Sequence, residues 1–97
     1  MSVRIIGMIR IKDVHSFEIY RSKVGATVEL YGGTVAARGA VDKCYWNELP
    51  CAEFSAFVEL SFPSAEQADR WAASPEYQAI IEVRQEAMDL TLFRVQE

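Results

Sequence analysis

The stretch Phe62–Arg84, FPSAEQADRWAASPEYQAIIEVR, contains two helix starts in tandem. Ser64 precedes Gln67 by three residues, which is the spacing of a capping box, where both side chains satisfy backbone N–H groups at a helix start. Ser74 is followed by Pro75, whose fixed φ angle suits the first position of a helix. Because apolar residues recur after each start, the stretch predicts two consecutive helices, or one helix kinked at Pro75.

Four other segments show the alternation of apolar and mixed residues that is typical of β-strands. They are Val3–Lys12, Thr34–Val41, Phe54–Phe62 and Asp89–Gln96. Between the first two, apolar residues recur at spacings of three and four, which predicts a helix. These residues are Phe17, Tyr20, Val24, Val28 and Tyr31. Asp13 is the expected N-cap of that helix, and Gly32–Gly33 is its expected end.

The order of elements, strand–helix–strand–strand–helix–strand, is the ferredoxin-like βαββαβ pattern. It predicts one α+β domain over residues 1–97, with a four-stranded antiparallel sheet and the helices on one face. The other face is predicted to carry a mixture of apolar and charged side chains: Ile6, Met8, Arg10, Arg38, Phe57 and Glu59. Apolar residues on a face without helices favour a covering partner, most simply the same face of a second copy. We therefore expect a homodimer, in which two sheets form a dimeric α+β barrel.

The composition narrows the range of partners. With 10 basic and 14 acidic residues the net charge is −4, and the basic residues do not cluster, which argues against nucleic-acid binding. No run of about 18 apolar residues is present to span a membrane, and no signal peptide is recognisable. We expect a cytoplasmic protein with no membrane partner.

Residues that bind metals and cofactors are few. Cys44, Cys51 and the single histidine, His15, do not supply a usual zinc site, and the two cysteines are expected to be free thiols. No glycine-rich loop has the spacing that holds a phosphate, so no nucleotide cofactor is indicated. His15 falls in the first turn of the predicted helix, where we expect it to be solvated rather than to act as a general base. We expect neither a metal nor a bound cofactor.

Several short motifs together resemble one bacterial family, the domain of unknown function 1330. They are Tyr31-Gly32-Gly33, Arg38-Gly39, Phe62-Pro63-Ser64, Ala68, Trp71, Ser74-Pro75-Glu76-Tyr77-Gln78 and Arg84. The resemblance covers nearly the whole chain and implies a homodimer with the dimeric α+β barrel fold. The same superfamily holds cofactor-independent oxygenases, muconolactone isomerase, polyketide cyclases, haem-handling proteins and dye-decolourising peroxidases. The family itself has no settled activity.

The chain departs from that family's pattern at positions that could carry chemistry. Ala72 stands where a tyrosine usually follows the tryptophan, and Ala40 stands where a glycine is usual. Ser61 replaces a glutamate that usually precedes Phe-Pro-Ser. If that glutamate acts in relatives, Glu59 could replace it here, because both positions lie on the same predicted strand face.

A candidate site follows from the predicted sheet order. Ferredoxin-like topology places the third strand between the first and the second, so Arg10, Glu59 and Arg38 would lie side by side on the open face. Arg38 would hold a carboxylate or an enolate in bidentate geometry, and Glu59 would orient Arg38 or accept a proton. The other predicted ligand-binding residues are Arg10, Arg84 and a wall of three aromatic rings, Tyr31, Trp71 and Tyr77.

Each of these residues also has a purely structural interpretation. The charged residues could form cross-strand ion pairs inside a dimer, and Trp71 and Tyr77 could simply pack in the core. Arg84 is expected to pair with a nearby glutamate or a carbonyl at a helix end. Tyr45 and Trp46 lie in a predicted loop, where they could cap the core, pack on a partner chain, or close over a ligand.

Three classes of function remain open at this stage. The first is an enzyme without a bound cofactor that isomerises, cyclises or oxygenates a small anionic, carbonyl or aromatic metabolite. The second is a module that binds such a molecule without transforming it, and the third is a structural dimerisation domain. A closed polar pocket of about 300 Å³ or more would favour the first two classes, whereas an interior filled by its own side chains would favour the third.

Overall fold

The elements follow one another in the predicted order in the computed structural model, which describes Ser2–Gln96. The strands are β1 (Val3–Ile11), β2 (Thr34–Ala40), β3 (Ala56–Phe62) and β4 (Met88–Gln96). The helices are α1 (Val14–Leu30), α2 (Ala65–Ala72), α3 (Pro75–Gln78) and α4 (Ile81–Ala87). The two ends of the predicted domain, Met1 and Glu97, lie outside the described residues.

The four strands form one antiparallel sheet in the order β2-β3-β1-β4, as the ferredoxin-like pattern predicts. β3 pairs with β1 from Val3 opposite Phe62 to Ile9 opposite Ala56. β4 pairs with the other edge of β1, where Asp89 lies opposite Arg10. Side chains alternate along each strand, so one face of the sheet packs under the helices and the other, here called the open face, points away from them.

Most of the core lies between the helices and the covered face of the sheet. Trp71 of α2 is only 1% exposed and packs on Phe62 of β3, with ring centroids 5.6 Å apart. Both predicted helix starts are confirmed, because the Ser64 and Ser74 hydroxyls accept hydrogen bonds from the backbone N–H groups of Gln67 and Tyr77. The stretch Phe62–Arg84 contributes to three short helices, α2, α3 and α4, rather than to two.

Helix α1 begins and ends as its sequence predicts. The Asp13 carboxylate accepts a hydrogen bond from the backbone N–H of Ser16, which identifies Asp13 as the N-cap. At the other end, Gly32 has a φ of +82° and its N–H donates to the Glu29 carbonyl. The N–H of Gly33 donates to the Val28 carbonyl, which completes a Schellman motif.

Strand β2 contains a bulge that reverses its alternation. Val35 lies opposite Leu60, but the next paired residue, Ala37, lies opposite Glu59, so Ala36 is an extra residue in the ladder. Arg38 is consequently opposite Val58 and shares the helix-covered face with Leu60. The prediction that Arg38 lies on the open face is therefore wrong, because it assumed regular alternation through all of β2.

The segment between β2 and β3, residues 41–55, forms no regular element. Its base is fixed to the sheet by two backbone hydrogen bonds, from Val41 N–H to the Ser55 carbonyl and from Ser55 N–H to the Ile9 carbonyl. Tyr45 and Trp46 are 75% and 80% exposed, so they do not cap the core of this chain. Within Ser2–Gln96, no helix is long and apolar enough to cross a membrane.

Candidate functional site

A cavity of about 60 Å³ lies between α1 and the covered face of the sheet. Its lining is almost entirely apolar and comes from α1, α2 and all four strands. The lining residues are Ile9, Phe17, Tyr20, Arg21, Val24, Val35, Arg38, Val58, Leu60, Trp71, Met88, Leu90 and Leu92. A water molecule occupies about 30 Å³ of the liquid, so the cavity has the volume of about two water molecules, well below the roughly 300 Å³ of a typical ligand pocket. It accommodates one end of a small molecule rather than the whole of it.

Two exposed arginines are among the lining residues, and the solvent-exposed border of the cavity is here called its mouth. Arg21 of α1 and Arg38 of β2 both line it, and both are exposed to solvent. The Arg21 guanidinium lies 6.0 Å from the centre of the Phe17 ring. Among the residues from Ser2 to Gln96, no carboxylate lies within ion-pairing distance of either guanidinium. The cavity therefore has an apolar interior and a positively charged mouth.

A chain of hydrogen bonds runs from one cavity wall into the helix layer. The Tyr20 and Tyr77 hydroxyls lie 2.9 Å apart, and Arg84 Nη1 donates to the Tyr77 hydroxyl at 3.0 Å. The Arg84 guanidinium also lies 5.7 Å from the centre of the Tyr77 ring, in cation–π geometry. Arg84 thus bonds to a phenol, and the prediction that it pairs with a glutamate or a helix-end carbonyl is wrong.

Burial keeps the Tyr20 hydroxyl protonated. Tyr20 is 7% exposed and Tyr77 is 3% exposed. Burial, reinforced by the neighbouring Tyr77, raises the pKa of Tyr20 far above its usual value. The Tyr20 hydroxyl consequently stays neutral and keeps its proton at every physiological pH.

The indole of Trp71 forms a second buried polar contact. Trp71 Nε1 donates to Thr27 Oγ1 of α1 at 3.1 Å, and the Trp71 and Tyr77 rings pack with centroids 4.6 Å apart. This contact ties α1 to α2 directly behind the cavity. Trp71 is therefore both a core residue and part of the cavity wall.

The predicted cluster of Arg10, Glu59 and Arg38 does not form. Glu59 lies on the open face, where its carboxylate is 3.7 Å from Arg4 Nε. Arg10 donates to Asp89 Oδ2 from both Nε, at 3.1 Å, and Nη2, at 2.5 Å. Arg38 lies on the opposite face of the sheet, because the β2 bulge at Ala36 reverses the alternation of side chains. The prediction that Glu59 works together with Arg38 is accordingly wrong in its geometry.

The predicted aromatic wall is also only partly assembled. Trp71 lines the cavity, whereas Tyr77 lies behind it and Arg84 lies beyond Tyr77. The Tyr31 hydroxyl donates instead to Glu76 Oε1 at 2.6 Å, away from the cavity. That hydrogen bond raises the pKa of Tyr31 and lowers the pKa of Glu76.

The α1 side of the cavity is the part that sequence reasoning did not assign to a site. Phe17, Tyr20, Arg21 and Val24 occupy adjacent positions on one side of that helix. Three of these residues belong to the apolar spacing that predicts the helix, and that spacing alone predicts that they pack in the core. A tyrosine within an otherwise apolar stripe, next to an arginine, was the signal available.

The remaining candidates from the sequence carry no site. His15 is exposed at the start of α1, and Cys44 and Cys51 are free thiols in the segment between β2 and β3, as expected. Within the described part of the chain, no three His, Cys, Asp or Glu side chains are grouped as metal ligands.

The sheet order, the helix layer and the cavity beneath α1 define the chain as a small α+β protein with a ferredoxin-like fold. Residues 2–97 match the family model of the domain of unknown function DUF1330, so the chain belongs to that family. The resemblance stated from the sequence motifs is thereby confirmed.

Solved structures share this fold at low sequence identity. A protein of unknown function from Rhodopseudomonas palustris, RPA0582, is 17% identical with a TM-score of 0.80, and the match covers 99% of this chain and 82% of that one. SnoaB from Streptomyces nogalater, a cofactor-independent oxygenase, is 9% identical with a TM-score of 0.73, covering 99% and 92%. A dimeric ferredoxin-like protein from Thermobifida fusca is 14% identical with a TM-score of 0.69, covering 100% and 92%. No curated protein matches the chain.

Proposed function

We propose that the cavity beneath α1 binds a small molecule with an apolar, planar or compact body and one anionic group. The observation that carries this proposal is the placement of Arg38, which the β2 bulge brings to the helix-covered face, where it lines an apolar cavity and forms no ion pair with a described carboxylate. Guanidinium groups bind carboxylates and enolates through two parallel hydrogen bonds. Arg21 lies at the same mouth and adds a second positive charge.

The lining favours binding over proton-transfer chemistry. Among the described residues that line the cavity, the only ionisable side chains are Tyr20, Arg21 and Arg38. None of them is a base at neutral pH, because the arginines stay protonated and the pKa of Tyr20 is raised. The likeness to SnoaB, at 9% identity, supports a shared fold and carries no reaction to this chain. A binding or sequestering module is thus the function that the geometry supports best.

We further propose that the chain forms a homodimer through the open face. The open face carries apolar side chains that are half-buried or exposed, namely Ile6, Met8, Phe57, Phe93 and Val95. Phe93 is 43% exposed, which is unusual for a phenylalanine at the middle of a strand. Relatives of the same fold from Thermobifida fusca and Bacteroides fragilis are described as dimeric.

The binding proposal is tested with benzoate and benzyl alcohol, which have the same ring but differ in charge. Backbone amide NMR titrations are recorded for the wild type and for Arg38→Met. We expect benzoate to bind the wild type under α1 and to lose about tenfold or more in affinity in Arg38→Met, since about 1.4 kcal/mol corresponds to a factor of ten. Benzyl alcohol should bind both forms alike.

A matched control is Arg70→Met, which removes an exposed arginine of α2 that pairs with Glu66 and is not among the residues lining the cavity. Arg70→Met should leave benzoate affinity unchanged. Equal benzoate affinity in Arg38→Met and the wild type would disprove the proposed role of Arg38.

The dimer proposal is tested by native mass spectrometry of the wild type, Phe93→Asp and Leu30→Asp. Leu30 is 67% exposed on α1 and serves as the control for an added charge elsewhere. We expect dimers for the wild type and Leu30→Asp and monomers for Phe93→Asp. A dimeric Phe93→Asp would place the interface elsewhere.

A further inference from the structure

In the hydrogen-bond network of Tyr20, Tyr77 and Arg84, the two hydroxyl groups carry one more hydrogen than they use. The two hydroxyl groups carry two hydrogens, but they form a single hydrogen bond with each other. Arg84 only donates, because a guanidinium has no acceptor atom. Among the residues from Ser2 to Gln96, neither hydroxyl contacts a further acceptor. One of the two O–H groups therefore lacks an acceptor within the described chain.

The positions of the two rings relative to the cavity indicate which O–H group lacks an acceptor. If Tyr20 donated to Tyr77, the remaining hydrogen would belong to Tyr77, which is 3% exposed and does not line the cavity. A buried donor without an acceptor is strongly unfavourable. If Tyr77 donates to Tyr20, the remaining hydrogen belongs to Tyr20, which lines the cavity. A ligand or a water molecule in the cavity can then accept it.

Arg84 favours the same direction. Its Nη1 donates to the Tyr77 oxygen at 3.0 Å, and no described carboxylate pairs with its charge. A hydroxyl that accepts a bond from a cation is polarised and becomes a stronger donor. Tyr77 is therefore polarised to donate to Tyr20, which leaves the hydrogen of the Tyr20 hydroxyl available for a further acceptor.

We infer that Tyr20 is a specificity-determining residue of the cavity, which selects ligands that carry a hydrogen-bond-accepting oxygen on their buried part. This inference rests on the proposed function and deepens it. The ligand class becomes an apolar or aromatic molecule with a carbonyl, ether or phenolic oxygen inside the cavity and an anionic group at its mouth. Tyr77 and Arg84 are positioning residues, which orient the Tyr20 hydroxyl without touching the ligand.

The test uses neutral probes, so that it does not depend on Arg38. Acetophenone carries an acceptor carbonyl, and cumene is its near-isosteric hydrocarbon. Affinities for both are measured by amide NMR titration in the wild type, Tyr20→Phe and the control Tyr31→Phe, which loses a hydroxyl that bonds Glu76 outside the cavity. We expect Tyr20→Phe to lose about five- to tenfold in affinity for acetophenone and to bind cumene unchanged.

Infrared difference spectra of bound, carbonyl-labelled acetophenone give a readout that a purely structural role would not move. The carbonyl stretch should shift to lower frequency in the wild type and in Tyr31→Phe, and the shift should vanish in Tyr20→Phe. Tyr77→Phe keeps the Tyr20 hydroxyl but removes its orienting partner, so the band should broaden and the shift should shrink.

The possible failures are distinguishable. An unshifted carbonyl band in the wild type, or equal loss of both probes in Tyr20→Phe, overturns the role of Tyr20 and leaves the benzoate test of Arg38 unaffected. If neither acetophenone nor cumene binds the wild type under α1, the role of Tyr20 is overturned, and the benzoate titration alone decides whether the cavity binds an anionic ligand.

Discussion

The two faces of the sheet differ in which side chains are paired or buried and which are not. The helix-covered face buries its apolar residues and leaves Arg38 without an ion-pair partner among Ser2–Gln96. The open face does the reverse, because its charges are paired, Glu59 with Arg4 and Arg10 with Asp89, while apolar side chains such as Phe93 remain exposed. An exposed arginine without an ion-pair partner can hold an anionic ligand, whereas an exposed apolar surface favours a partner chain. The comparison supports the two proposals, a ligand at the helix-covered face and a second copy at the open face.

The largest expected effect is the loss of stability on removing a buried tryptophan, compared with removing an exposed one. Trp71→Ala removes a side chain that is 1% exposed on the covered face, and it should lower the free energy of unfolding by about 3–5 kcal/mol. Trp46→Ala makes the same chemical change at a position that is 80% exposed, and it should cost less than about 0.5 kcal/mol.

Urea denaturation at a fixed protein concentration measures both values, because dimerisation would otherwise change the apparent stability. A loss below about 1 kcal/mol for Trp71→Ala would show that the covered face is not the main source of stability.

A smaller effect is expected from the polar contact behind the cavity. Thr27→Val preserves the shape of the side chain but removes the acceptor of the Trp71 indole N–H. Because both residues are buried, the unpaired N–H should cost about 1–3 kcal/mol of stability.

The matched variant is Ser22→Ala, since the Ser22 hydroxyl also donates within α1, to the Ile19 carbonyl, but on the exposed side. Ser22→Ala should change the urea midpoint much less than Thr27→Val does. Equal effects of the two substitutions would argue against a tight polar contact beneath α1.

The smallest effect concerns a paired charge on the open face. The Arg10 guanidinium, assisted by Lys12, holds the pKa of Asp89 below its usual value. Because the folded pKa is lowered, the pair stabilises the fold above the pKa of an unfolded aspartate, and this contribution is lost as the pH falls through the folded pKa. Arg10→Met should raise the Asp89 pKa towards its usual value, although Lys12 Nζ, 3.5 Å from Asp89 Oδ1, keeps part of the shift.

Carboxyl carbon NMR titrations at low and high salt follow this change. The Asp89 pKa should be more sensitive to salt in Arg10→Met than in the wild type, because the two hydrogen bonds from Arg10 to Oδ2 are screened less than the longer pair with Lys12. An unchanged Asp89 pKa in Arg10→Met would show that the pair is not formed in solution.

Features that depend on neighbouring residues were predictable from the sequence, and features that depend on pairing between distant segments were not. The caps at Ser64 and Ser74 and the left-handed Gly32 follow from local backbone chemistry, and the structure confirms them. The strand order follows from the order of elements. These features together fix the fold but not the site.

The site depends on two contacts that no local pattern reveals. Ala36 and Ala37 give no sign that a bulge lies between Val35 and Arg38, because the bulge is a property of the pairing with β3. Likewise, Tyr20 meets Tyr77 across 57 positions of the chain, so its spacing in α1 predicts burial but not a hydrogen bond. Sequence reasoning thus selected Arg38 as a candidate site residue and placed it on the wrong face.

The bulge in β2 also affects how this chain is aligned with its relatives. A homologue whose second strand pairs regularly has one residue fewer between the equivalents of Val35 and Arg38. The correct alignment then has a one-residue gap at Ala36, and it keeps Arg38 matched with residues above the cavity. A gapless alignment would instead match Ala37–Ala40 with residues on the opposite face. Any functional residue transferred through that alignment would be assigned to the open face of the sheet instead of the helix-covered face.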